Sequence, residues 1–255
     1  MIFFSYVFFL CFSICFGKIT PYDAGVRAYE NRAVNAVGIV AQPDSINRAI
    51  IEFKKAEKNS ETELNTGIYL LRCYYFKGKF VANTDNEKKA VFNEGKALAE
   101  SMLGLYPESA AVRYWYLANL GSWAEVYGIF IAAKEGVADL MKEHSEKIIE
   151  LDPDYWDGGG YFMLGAVHYK SPYIPFLLSW PDNDTAIQYL TLAMNTGEPT
   201  PHQMVYLARA LYKDDNEDEA KTLLNDLIRS TISKDEPVED LEQLKIAKEI
   251  LDDWN

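Results

Sequence analysis

Tyr206-Leu207-Ala208-Arg209-Ala210-Leu211-Tyr212, the polar turn Lys213–Asp218, and Glu219-Ala220-Lys221-Thr222-Leu223-Leu224 read as two helices joined by a tight turn. Two small residues, Ala208 and Ala220, stand twelve positions apart, one on each helix. Small side chains at such facing positions let two helix axes approach closely, while the leucines and tyrosines around them fill the space on either side. A unit of this kind leaves an apolar face uncovered and is stable only when another unit stacks on it. The chain must therefore repeat it, and it does.

The interval of twelve is that of the two small packing positions in a tetratricopeptide (TPR) repeat. Upstream, a helix containing Leu164-Gly165 and Tyr169 pairs with Ala186–Met194, with Leu190 and Ala193 in register. There the interval from Gly165 to Ala186 is 21, and the surplus lies in a loop, Ser171-Pro172-Tyr173-Ile174-Pro175-Phe176-Leu177-Leu178-Ser179-Trp180-Pro181. Ala110–Phe130 pairs with Val137–Leu151, closed by Asp152-Pro153, and its Trp115, Leu117, Ala118 and Trp123 face several directions, as on a helix buried on more than one side. Leu64–Val81 and Glu87–Leu105 precede it. Before these come a helix over Tyr22–Val40 and one over Ile46–Lys58, the second capped by Asp44-Ser45. Val238–Trp254 is a strongly charged last helix. No run alternates with period two, and no flexible linker divides the chain. The expected fold is all-α: a TPR-like helical-repeat solenoid over residues 18–255 with a C-terminal capping helix.

Composition narrows the function. The chain has 255 residues, 49% of them hydrophobic and 14% aromatic, with a net charge of −13. Residues 214–255 carry 14 Asp/Glu against 5 Lys/Arg. That balance argues against nucleic acid and against anionic surfaces. Met1–Phe16 is almost wholly apolar and is followed by Gly17 and Lys18, the pattern of a signal peptide cleaved after Gly17 and so of a periplasmic or otherwise exported protein. Left uncleaved, the same run is a membrane anchor. Past the leader Cys73 is the one remaining cysteine, so no internal disulfide is expected.

No catalytic constellation emerges. His144, His168 and His202 are dispersed, and neither a Gly-x-Ser-x-Gly elbow nor a phosphate-binding Gly-rich loop occurs. A non-enzymatic protein without metal or cofactor is expected. Asp157-Gly158-Gly159-Gly160 reads as a tight turn between repeats with Asp157 as a helix N-cap, the alternative being backbone N–H groups open to an anion or carboxylate. The first helix of each TPR pair lines the concave face. This makes Trp115, Tyr116, Trp123, Tyr161 and Tyr206 candidate contacts for an apolar small ligand or a peptide. Tyr173, Phe176 and Trp180 are too apolar for a free loop. They are expected to fold back over the repeats or to act as a lid or docking patch.

Several ordered segments resemble the T-component family of TRAP transporters. They are Tyr74-Tyr75-Phe76-Lys77-Gly78-Lys79-Phe80-Val81 with Asp85, Gly95-Lys96-Ala97-Leu98-Ala99, and Tyr114-Trp115-Tyr116-Leu117 with Trp123. Leu151-Asp152-Pro153-Asp154-Tyr155-Trp156-Asp157-Gly158-Gly159 and Leu241–Trp254 complete the set. The resemblance implies an extracytoplasmic accessory of a solute uptake system. Its partner would be a solute-binding subunit or another envelope protein, and it would form a homo-oligomer around an apolar cavity. The alternative is a general envelope scaffold that docks peptide or protein segments.

Overall fold

The computed structural model describes residues 19–254 except 57–59, 175 and 177; the leader expected at 1–17 lies outside the described residues. Among the described residues twelve helices follow one another. They are α1 (Pro21–Glu30), α2 (Pro43–Lys55), α3 (Ser60–Phe80), α4 (Asp85–Leu105), α5 (Ala110–Tyr127), α6 (Ile129–Lys134), α7 (Val137–Leu151), α8 (Gly159–Lys170), α9 (Asn183–Met194), α10 (Pro201–Lys213), α11 (Glu217–Arg229) and α12 (Pro237–Trp254). α1 packs on α2, α3 on α4, α5 on α7, α8 on α9 and α10 on α11, and each pair stacks on the next. α12 covers α10 and α11. The fold is an all-α helical-repeat solenoid with a terminal capping helix.

The small residues sit where helices touch. Ala208 and Ala220 are fully buried. A Cβ on Gly165 would stand 2.6 Å from Leu190 Cγ and 3.0 Å from Leu190 N, so α8 and α9 meet there through backbone. α5 is buried on nearly all sides, with Leu117, Asn119 and Leu120 at zero exposure. The Asn119 amide bridges two helices, donating to Leu71 O at 3.1 Å and to Trp115 O at 2.8 Å. Gly121 on the same helix is different, because a Cβ there would meet only Met141 Cε at 3.9 Å. Gly121→Ala is therefore expected to raise stability by about 0.5–1 kcal/mol through helix propensity, measurable by thermal unfolding.

Several helix boundaries differ from the sequence reading; α3, for one, begins at Ser60 rather than Leu64. The helix expected over Tyr22–Val40 stops at Glu30, and the chain reverses through Asn35 and Gly38, both at positive φ, into a Val37–Val40 bridge. α2 begins at Pro43 with Gln42 before it, so Asp44 lies inside the first turn rather than capping it; proline's fixed φ suits that opening position. The helix expected over Ala110–Phe130 ends at Tyr127, because Gly128 turns the chain at φ 90 into the short α6.

The glycine-rich turn also differs. Gly158, at φ 77, is the residue before α8, and Asp157 is not the cap. Instead Asp157 ties this repeat to the next: its Oδ1 accepts Glu198 N–H at 3.2 Å and its carbonyl accepts Gln203 Nε2 at 2.6 Å. A Cβ on Gly158 would lie 2.8 Å from Thr196 Cβ, so the approach of the start of α8 to the end of α9 requires glycine.

Two apolar cores result. The larger runs from α3 to α12; the smaller gathers α1, α2 and part of α3 around Phe53 and Phe76 and includes Val238 of α12. The last helix thus reaches back to the first. Arg32, in the turn after α1, donates from Nε (3.0 Å) and Nη2 (2.8 Å) to Glu239 Oε1, and from Nη2 to Asp235 O at 2.7 Å. Both ion-pair side chains are almost fully buried.

Candidate functional site

The inner face encloses a cleft of about 410 Å³. Its walls come from the first helices of successive pairs: Tyr29 of α1, Tyr75 and Lys79 of α3, Trp115 to Glu125 of α5, Phe162 to Lys170 of α8, and His202 to Tyr206 of α10. α6, the start of α7, Pro172 and Leu178 of the loop, and the first turn of α12 add to it. The middle is lined by small side chains, among them Ala118, Gly121, Ala132, Ala138 and Ala166, and large rings stand around them. Residues short enough to let helices approach on one face leave empty volume on the other, which creates the cleft. A cavity walled this way favours apolar matter over water.

One end of the cleft is polar. Lys170 pairs with Glu125, and Lys79 with Glu242 at 3.2 Å. Burial acts to lower the Lys170 ammonium, but the Tyr206 and Glu125 groups outweigh it and hold it raised. Burial, with the nearby Lys79 charge, lowers His202 to about 3, so its ring is neutral near pH 7 and lies 3.0 Å from the Gln243 amide nitrogen. Burial also raises Glu236 to about 7; Glu239 and Asp240 push the same way, and Arg32 and Arg72 oppose them. Arg72 has no carboxylate partner among the described residues. Its guanidinium lies over Tyr29 (4.7 Å), Tyr69 (5.1 Å), Trp115 (5.4 Å) and Trp156 (4.9 Å). A second hollow of about 500 Å³, bordered by Arg72, Trp156, Glu236 and Asp240, adjoins this end.

A raised acid stabilises the fold at low pH. Between about 4.5 and 7 the unfolded chain releases the Glu236 proton while the folded chain keeps it, so stability falls as pH rises through that window. Glu236→Gln is accordingly expected to raise the unfolding free energy at pH 8 by about 1–3 kcal/mol and to change it little at pH 4. Urea titrations at the two pH values measure the difference.

Of the eight residues singled out by sequence, the cleft wall includes Trp115 and Tyr206. Tyr116 is buried on another side of α5, packed edge-on against His144. Trp123 stacks on Tyr127 at 4.3 Å and donates its indole N–H to Asn93 Oδ1 at 2.8 Å. Tyr161 packs against the larger core without entering the cleft wall. The loop is divided. Leu178 is buried, and Trp180 rests on His168 (4.8 Å) while donating to Asp139 at 2.8 Å. Tyr173 and Phe176 instead stand out in solvent at 64% and 106% exposure, so only the loop's second half folds back. Sequence reasoning overlooked Tyr29, Tyr75, Tyr114 and Trp156, which face the cleft, and the ionisable groups at its end. Periodicity along a buried helix does not distinguish the groove side from the neighbour side.

A family model described as Regulator of microtubule dynamics protein 1-3 matches residues 44–177, more than half of the chain. The chain belongs to the regulator of microtubule dynamics protein 1-3 family. Regulator of microtubule dynamics protein 3 of Rattus norvegicus is 38% identical over 102 residues, which are 40% of this chain and 20% of that protein. The protein of the same name from Xenopus laevis is 33% identical over 106 residues, 42% of this chain and 21% of that one. The chain's matched part spans about a fifth of the length of these curated relatives. Among solved structures, a thermophilic TPR protein of Thermus thermophilus superposes with a TM-score of 0.60 at 15% identity, covering 91% of this chain and 97% of that one. At that identity it speaks for the fold alone.

The family match overturns the TRAP T-component resemblance and, with it, the readings as a periplasmic transporter accessory and as a general envelope scaffold. The physical reason is that small residues at helix contacts and aromatic fillers between them are demanded by any stack of helix pairs. The quoted segments therefore do not by themselves single out the TRAP family. In the regulator of microtubule dynamics family match fall α2 to α8, and so most of the cleft wall; His202 and the carboxylates of α12 lie beyond it. Among the described residues no helix is long and apolar enough to cross a membrane.

Proposed function

We propose that this chain is a non-enzymatic binding module that holds the apolar part of a small amphiphile in its concave cleft, and that through this binding it takes part in the control of microtubule dynamics for which its family is named. One observation carries the reading: the inner face is a cleft of about 410 Å³ walled by alanines, glycines and rings, with ionisable groups gathered at one end. Enzymes of comparable cleft size need a nucleophile or an acid–base pair set against the reacting atoms. Here Lys79 and Lys170 at the polar end are held in ion pairs with Glu242 and Glu125. The net charge of −13 favours an uncharged or cationic ligand over nucleic acid.

Ala166 tests it. The residue lines the cleft and is 8% exposed. Ala166→Trp should fill the middle of the cleft and abolish ligand retention, seen by native mass spectrometry of protein purified from cells. The helical circular dichroism should stay unchanged. Microtubule growth rates in cells expressing the variant in place of the original chain should then match those of cells lacking the protein. A wild-type protein that carries no ligand and takes up no alkyl-chain probe refutes the proposal.

A further inference from the structure

Resting on that reading, we propose that the carboxylate end of the cleft is a subsite for a cationic head group, the ammonium of an amphiphile whose apolar part lies along Ala118 and Ala166. The first turn of α12 and the residue before it place Glu236, Glu239 and Asp240 on the cleft wall. Glu239 is only 6% exposed; its Oε1 takes both Arg32 hydrogen bonds, while its Oε2, buried, meets no donor. Asp240 accepts one N–H, from Ser233 at 2.8 Å. No hydrogen bond or ion pair reaches the Glu236 side chain among the described residues.

The neighbouring cations do not answer this demand. Arg32 is engaged by Glu239, Lys79 by Glu242 and Lys170 by Glu125, and Arg72 lies over ring faces. A helix N-terminus welcomes carboxylates, which accounts for acids in the first turn of α12. It does not account for a buried carboxylate oxygen left without a donor, which is rare in folded proteins. Burial is the main cause of the raised Glu236 carboxyl, and the Glu239 and Asp240 charges add to it against Arg32 and Arg72. An ammonium supplies donors and charge together, and Tyr75, a ring of the kind that attracts cations, also lines the cleft. A sulfate or phosphate head would meet carboxylates of its own sign.

The experiment follows the fluorescence of the cleft tryptophans Trp115 and Trp156 in the full chain, titrated with decyltrimethylammonium or with decyl sulfate below their micelle concentrations. The ammonium compound is expected to bind about tenfold tighter or more. At pH 8, where the Glu236 carboxyl is ionised, Glu236→Gln, which breaks no ion pair, should narrow that preference about threefold or more. Asp218→Asn, an exposed acid of α11 outside the cleft, should leave it unchanged, which separates a local subsite from the overall negative charge. Ala166→Trp should abolish binding of both compounds. Equal affinities, tighter binding of the sulfate, or a preference untouched by Glu236→Gln overturns the subsite and leaves the apolar cleft standing. Failure of both compounds to bind overturns the subsite and the cleft reading together. Displacement of the ammonium compound by a lysine-rich peptide at lower concentration assigns the carboxylates to a peptide and overturns the amphiphile.

Discussion

Arg32→Met lowers the unfolding free energy by about 3–5 kcal/mol, the cost of leaving a buried charge without its partner. The guanidinium is 4% exposed, lies 4.4 Å above the Tyr29 ring, and is the partner of Glu239, 207 positions away. Methionine keeps much of the stem volume but supplies no donor. Glu239 then has no donor on either oxygen, and the Asp235 carbonyl loses its bond from Arg32. Because this contact joins the turn after α1 to the start of α12, its loss should appear first there, as faster amide exchange in α12. The double variant Arg32→Met with Glu239→Leu should recover most of the stability, since an apolar pair demands no compensating charge. Urea denaturation of the two single variants and the double variant closes the cycle. A single variant as stable as the original chain would show that the pair is solvated.

Gly165→Val strikes the repeat itself. The Cβ would stand 2.6 Å from Leu190 Cγ, 3.0 Å from Leu190 N and 3.1 Å from Ala186 O. Two of those three atoms belong to the backbone of α9, which cannot rotate away as a side chain can. α8 and α9 must separate, and fully buried Leu190 and Ala186 lose their close packing. A cost of about 3 kcal/mol or more is expected, at the upper end of overpacking, and a fall in Tm of about 6–12 °C for a domain of this size. Differential scanning calorimetry reads it directly. Gly121→Ala on α5 is the matched control, because there the added methyl has room and the sign reverses.

The contrast between those two glycines shows how far a sequence can be read. Both sit in helices, and both look like small packing residues. Only the position of α9 behind one, and of open cleft before the other, separates them. The same holds for the aromatic residues. Trp115 and Tyr116 are neighbours on α5 and look alike in the sequence, yet Trp115 walls the cleft while Tyr116 is packed on His144. On a helix buried all round, both sides are apolar, so hydrophobic periodicity carries no information about which side is empty. The loop insertion is legible as apolar, but Trp180 finds a partner in His168 while Phe176 stands in solvent, a difference set by reach across space.

What the sequence by itself determined is the repeat. The spacing of Ala208 and Ala220, the glycine at position 165 and the absence of any period-two run specify stacked helix pairs, because these are local demands of helix geometry and close approach. The cleft and its charged end were decided only by the tertiary structure. They depend on how far the stack curves before α12 meets α1, and on a pair, Arg32 and Glu239, whose members lie 207 positions apart. Curvature is the sum of small rotations between repeats, and the residues it brings face to face share no pattern along the chain.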